Sequence, residues 1–210
     1  MECDDGKELN EYPIFFWSGA KEPYHKLSNF YECRVSFDGI TYPSSEHAFQ
    51  AQRVPLKERH ELLSINGLLA DFETGFRYFF PRDVTKADKK ASHWGKKRNI
   101  GILAKMLINK KAKSGESLVD MTSEECASVF FKILKAKYTQ NEDLKSLLLG
   151  TEGRYLLEFD KGAERMKKKG EVCRWGGMVK KIETQELQGF KGRVIGSNQM
   201  GTLMMRVRAA

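Results

Sequence analysis

Paired cysteines are missing from this sequence. Cys3, Cys33, Cys126 and Cys173 are scattered and form no C-x-x-C pair, which argues against a disulfide framework or a structural zinc site and leaves reduced thiols as the expectation. The four histidines, His25, His47, His60 and His93, are as dispersed, so no metal-ligand spacing appears and no metal is expected. No apolar run approaches the ~20 residues of a membrane span, and the first residues are too acidic and polar for a signal peptide. The expectation is a soluble chain with no membrane partner, cytoplasmic or nuclear. Internal repeats and low-complexity segments are absent too.

What is present fits a globular protein. Hydrophobic residues make up 40% and charged residues 30% of the 210 residues, outside the disordered range. Length suggests one domain, since ~150 residues per domain is a common size. Residues 1–11 are polar and acidic and read as a flexible N-terminus, leaving 12–210 as the domain. Lys and Arg outnumber Asp and Glu by 36 to 28, a net charge of +8, which suits a nucleic acid, a nucleotide or a phosphorylated sugar.

Along the chain, Pro13–Trp17 reads as a strand. Arg34–Phe37 and Ile40–Tyr42 around Asp38-Gly39 read as a hairpin that delivers the chain into a helix at Ser45. Helical spacing returns at Leu56–Leu69; Phe72–Phe80 is aromatic and ambiguous. Arg82–Lys111 is strongly basic around Trp94, either a nucleic-acid contact or, more simply, a solvated helix face. Ala112–Ser123 reads as a loop. Ala127, Phe130, Phe131, Leu134 and Tyr138 form a helical apolar stripe. Asn141 opens a further helix that stops at Gly150. Tyr155–Asp160 reads as extended, with Glu158 and Asp160 on the same side. Lys161–Gly192 reads as irregular apart from Arg174–Gly177. Asn198 caps a final helix whose free N–H groups, with Arg208 nearby, are suited to a phosphate.

Two features carry candidate chemistry. If the helix begins at Ser45, then Glu46, Gln50 and Arg53 fall at i, i+4 and i+7 in one row. That row reads as a solvated face or as the lining of a site. Lys137 borders the apolar stripe; such a lysine usually snorkels to water, but a desolvated one has a lowered pKa and becomes a nucleophile.

The ordered set Leu27-Ser28-Asn29-Phe30, Tyr42-Pro-Ser-Ser-Glu46-His47-x-x-Gln50, Lys137-Tyr138, Leu-Leu-Glu158, Trp175-Gly176 and Asn198-x-x-Gly201-x-Leu-x-Met205-x-x-Arg208 resembles the signature of the YbiA/NADAR family, over nearly the whole chain. The resemblance implies a mainly α-helical, single compact domain with a few short strands, and an N-glycosidase that acts on ribosides without a cofactor. One branch cleaves phosphoribosylated intermediates of riboflavin synthesis; another removes ADP-ribose from guanine in nucleic acids or nucleosides. It further implies Glu46, Lys137 and Glu158 as catalytic. Ser28, Asn29, His47, Gln50, Arg53, Asp160, Trp175, Gly176, Asn198, Gly201 and Arg208 are then substrate-binding.

Cleaving an N-glycosidic bond needs a proton for the departing nitrogen and stabilisation of positive charge at the anomeric carbon. Glu46 suits the first task. The resemblance also suggests a route in which the sugar ring opens and a lysine forms a Schiff base, and Lys137 is the lysine that matches the family motif. Arg53 stands where the family commonly has lysine; arginine does not deprotonate in proteins and so is cast as a phosphate binder. The loop between Trp94 and Phe130, longer than in short bacterial members of the family it resembles, and the charge of +8 fit an anionic, bulky substrate such as an ADP-ribosylated nucleotide, with DNA or RNA as partner. A non-catalytic ADP-ribose or nucleic-acid binding module is the remaining alternative.

Overall fold

The computed structural model describes residues 3–182 and 190–210. The chain begins with β1 (Glu8–Leu9), β2 (Ile14–Phe16) and the hairpin β3 (Val35–Phe37) and β4 (Ile40–Tyr42). Helices follow: α1 (Ser45–Ala51), α2 (Leu56–Glu58), α3 (Phe72–Phe79), α4 (Val84–Lys96), α5 (Gly101–Ser114), α6 (Ser123–Gln140) and α7 (Glu142–Leu149). The last part holds β5 (Leu156–Glu158), α8 (Ala163–Lys168), β6 (Met178–Lys181), β7 (Gly192–Ile195) and α9 (Gln199–Arg208). The fold is mainly helical with short strands, as expected. None of the described helices is long and apolar enough to cross a membrane.

The chain forms two units, Asn29–Lys145 and the combination of Met1–Ser28 with Ser146–Ala210. In the central unit, Asp38 (φ 50°) and Gly39 (φ 73°) both take left-handed backbone. That is the two-residue turn whose twist matches a hairpin, and it pairs Phe37 with Ile40 and Val35 with Tyr42. α1 then packs on α5 and α6, and α3 on α4; the Phe49 and Phe130 rings stack 3.9 Å apart between α1 and α6. The ambiguous Phe72–Phe80 is α3, started by Asp71, whose carboxylate accepts from Thr74 N–H at 2.8 Å. A reciprocal capping box between Thr122 and Glu125 opens α6. The helical stretch expected at Leu56–Leu69 is instead α2, a π turn over Arg59–Leu63 and a 3₁₀ turn over Leu68–Ala70.

The second unit holds a β1-β7-β6 antiparallel sheet and the parallel pair β2-β5. Leu9, Leu157 and Val194 are buried together. Two expectations are corrected here. The stretch read as a flexible N-terminus is structured from residue 3: Glu8–Leu9 pairs with Gly192–Arg193, and Asp4 accepts from the Tyr155 hydroxyl (2.5 Å) and the Thr202 hydroxyl (3.1 Å). The stretch 161–192 read as irregular contains α8 and β6 and reaches β7; its residues 183–189 lie outside the described residues.

Candidate active site

The start of α1 is set one residue earlier than the sequence suggested. Ser44, in extended backbone, is the N-cap; its Oγ accepts from His47 N–H at 3.2 Å. Either serine can cap, and here Ser45 is spent elsewhere: its hydroxyl donates to the Asn29 carbonyl at 3.2 Å, which also accepts from Glu46 N–H at 3.1 Å. His47 is fully buried. Its Nε2 lies 3.1 Å from the Leu69 carbonyl, which can only accept, so Nε2 carries the proton and Nδ1 accepts from the Ser44 hydroxyl at 2.9 Å. Burial lowers its pKa to about 4. Both ring nitrogens are thus used within the protein, and His47 fixes α1.

Glu46 is 7% exposed. Gly101 of α5 lets the backbone come this close, since a Cβ there would sit 2.9 Å from Glu46 Cβ and 2.7 Å from Phe30 Cα. Gln50 Nε2 donates to Glu46 Oε1 at 2.8 Å, while Gln50 Oε1 is buried without a hydrogen-bond partner among the described residues. Burial pushes the Glu46 pKa above the ordinary glutamate range; the Gln50 hydrogen bond and the charges of Lys105 and Arg53 pull it back without cancelling that rise. The expected Glu46–Gln50–Arg53 row is therefore a packed edge with two cations near its acid, rather than a solvated face.

Lys105 was not singled out in the sequence. It follows Gly101 by one helical turn, so it shares the face that meets Glu46, and its ammonium sits 5.6 Å over the Phe30 ring. Within the sequence it is one lysine among many in a basic stretch. Its only signal is that four-residue offset from a glycine.

Lys137 has no exposed surface. It does not snorkel, because its side chain lies among packed groups at the C-terminal part of α6. Its ammonium is 5.3 Å from the Tyr138 ring, and its charge reaches Cys33, whose thiol burial pushes up and Lys137 pulls down. Asn141 Nδ2 donates to both the Lys137 carbonyl (2.8 Å) and the Arg34 carbonyl (2.9 Å), holding this end of α6 against the chain before β3. Glu46 and Lys137 thus both lie along Asn29–Arg34: Glu46 through Asn29, Lys137 through Cys33.

The other unit gathers the second set. Cβ atoms at Gly176 and Gly201 would meet the Glu158 carbonyl at 2.7 Å and the Leu156 carbonyl at 2.2 Å, so both glycines are required by close backbone approach to β5. Asn198 (φ 46°) makes no side-chain cap. Its Oδ1 accepts from Glu158 N–H at 3.0 Å and its Nδ2 donates to the Leu156 carbonyl at 2.8 Å, so it staples α9 to β5. The expected free N–H groups at the start of α9 are also taken: those of Asn198, Gln199 and Met200 donate to the carbonyls of Gly176, Arg174 and Trp175. Arg208 donates to the Thr151 hydroxyl at 2.9 Å and the Arg154 carbonyl at 3.0 Å. Asp160 accepts from Gly162 N–H (2.7 Å) and the Cys173 thiol (3.4 Å). Glu158 and Trp175 are half-buried, with Arg174 over the indole at 4.6 Å; Ser28 is buried.

The NADAR domain family matches residues 15–210. N-glycosidase YbiA of Escherichia coli (strain K12) is 26% identical over 196 residues, 93% of this chain and 86% of that protein. A riboflavin biosynthesis protein of Vibrio vulnificus (strain YJ016) is 40% identical over 50 residues, 24% of this chain and 13% of that protein. The NMR structure of E. coli YbiA has the same fold, with a TM-score of 0.54 at 23% identity, covering 96% of this chain and 85% of that one. With the match spanning nearly its full length, the chain belongs to the NADAR family.

Proposed function

We propose that this chain is an N-glycosidase that cleaves ADP-ribose from guanine, with Glu46 as the general acid and Lys137 as the nucleophile. The observation that carries the reading is Glu46: a buried carboxyl whose pKa burial raises above the ordinary glutamate range, beside Lys105 and Arg53, which suit an anionic substrate. In this reading the C1–O4′ bond breaks as the ring oxygen takes a proton from solvent and C1 becomes an iminium with the guanine nitrogen; the uncharged Lys137 amine then adds to C1, and the bond to guanine breaks as Glu46 protonates the departing nitrogen, leaving the Lys137 imine. Water then hydrolyses the imine, releasing ADP-ribose and restoring the amine.

Incubation with guanine-ADP-ribosylated oligonucleotide, followed by mass spectrometry, tests it: free ADP-ribose and restored guanine are expected. Borohydride captures an imine in the parent and not in Lys137→Ala; equal capture in both removes Lys137 from the mechanism. The Vibrio match favours a second reading, cleavage of a phosphoribosylated pyrimidine of riboflavin synthesis. Release of ribose 5-phosphate from that substrate, with the ADP-ribosylated one left intact, selects it.

A further inference from the structure

The basic stretch around Trp94 is not absorbed by the cleavage chemistry, and it is built as a surface. From Arg82 to Arg98 seven Lys or Arg face two carboxylates, Asp83 and Asp88. Asp83 is spent capping α4, accepting from Lys86 N–H at 2.9 Å, and Asp88 lies 3.5 Å from Arg77. Among the described residues no carboxylate comes within ion-pair distance of Lys86, Lys89, Lys90, Lys97, Lys110 or Lys113. What several of these lysines do have is an aromatic ring. Lys86 and Lys90 sit 4.8 Å and 5.6 Å from Phe80, Lys97 5.7 Å from Trp94, and Lys110 4.2 Å from Tyr78.

The arrangement is continuous. One cavity of about 560 Å³ is lined by Lys86, Lys89, Lys90, His93 and Trp94, together with Asp83, the carboxylate that caps α4. A second, of about 620 Å³, is lined by Phe79, Phe80, Lys110 and Lys113, and its Phe80 ring is the one that Lys86 and Lys90 of the first approach. Along α4, Lys86, Lys90 and Lys97 at i, i+4 and i+11 share a face and span roughly 16 Å at ~1.5 Å per residue. A merely solvated helix face usually interleaves charges of both signs to pair them. This one leaves its cations uncompensated and sets rings between them. Phosphates match the cations and bases match the rings, a combination that an acidic peptide or a lipid headgroup does not offer.

We propose that the α3–α4–α5 face of the Asn29–Lys145 unit binds a single-stranded nucleic acid, its phosphates on the lysines and its bases against Trp94 and Phe80. This gives the strand a surface of its own on the protein, and it rests on the glycosidase reading only for the cleavage half of its test. The binding half uses an unmodified, fluorescein-labelled oligo(dT) strand about 12 nucleotides long, followed by anisotropy across a salt series.

The parent is expected to bind with a steep salt dependence. K86E/K89E/K90E should weaken binding at least tenfold and reduce the log–log salt slope by about 2, at ~0.7 per lost phosphate contact. Trp94→Ala should weaken binding about tenfold with the slope unchanged. K110E/K113E, on the other cavity, should weaken it as well. An oligonucleotide affinity unchanged in both charge-reversal variants overturns the proposal. So does a parent that ignores the strand and binds phosphatidylserine vesicles instead. In the cleavage half, K86E/K89E/K90E should raise KM for an ADP-ribosylated oligonucleotide and leave KM for the ADP-ribosylated nucleoside as it was. A parent that binds oligo(dT) but cleaves neither substrate refutes the glycosidase reading alone.

Discussion

Replacing His47 by glutamine should flatten the acid dependence of stability. In the folded chain the imidazole is sealed between Ser44 and Leu69, and its pKa falls from 6.5 to about 4. Below pH 6.5 the unfolded chain takes up a proton that the folded chain refuses, so stability falls with pH from there until the folded form titrates near 4. The full difference is worth about 3 kcal/mol, of which about 2 kcal/mol is lost between pH 7 and pH 5. Glu46 works in the opposite sense, since its folded pKa is raised: its contribution is present at low pH and lost as pH rises through the folded value. The difference between parent and His47→Gln cancels that and every other group. Glutamine keeps an amide donor at the ε position for the Leu69 carbonyl. Urea unfolding at pH 7, 6 and 5 measures both proteins. A parent that loses no more stability than His47→Gln over that interval refutes the assignment of a neutral, buried imidazole.

Under the proposed function, Glu46→Gln should lower kcat by ~10²–10⁴ by removing the proposed proton donor, with substrate binding kept and the melting temperature equal or higher because a buried ionisable group is gone. Turnover and calorimetry check the two halves. Gly201→Ala should cost at least ~2 kcal/mol, since its Cβ would come within 2.2 Å of the Leu156 carbonyl and strand backbone yields little; thermal unfolding measures it.

The hairpin and α6 were legible because their signals are local: Asp38-Gly39 requires positive φ, and the stripe from Ala127 to Tyr138 holds a helical period over three turns. The N-terminal strand was not. Glu8–Leu9 is two residues long, and its pairing partner, Gly192–Arg193, is far away in sequence; no local pattern announces such a strand. Asn198 read as a cap because Asn is a good one, whereas its amide is spent on Glu158 N–H and the Leu156 carbonyl, contacts that depend on how α9 docks. The Glu46–Gln50–Arg53 row was visible by periodicity, but Lys105 was not, because only the α1–α5 packing at Gly101 shows which lysine of α5 faces the acid.

That packing has a kinetic consequence under the proposed function. Lys105 and Arg53 lower the proton affinity of Glu46, while burial raises it and prevails. An anionic substrate held by those two cations neutralises the charge that opposes the proton, so Glu46 should hold its proton more tightly once substrate is bound. Because Glu46 acts as an acid, activity should fall as pH rises through its pKa. The high-pH limb of kcat, which reports the bound enzyme, should therefore lie above that of kcat/KM, which reports the free one. Lys105→Ala removes one cation from the free enzyme and should bring the two limbs closer, while weakening binding of the phosphorylated substrate. Coincident limbs in the parent, or a separation untouched in Lys105→Ala, would mean that these cations serve the surface and not the acid.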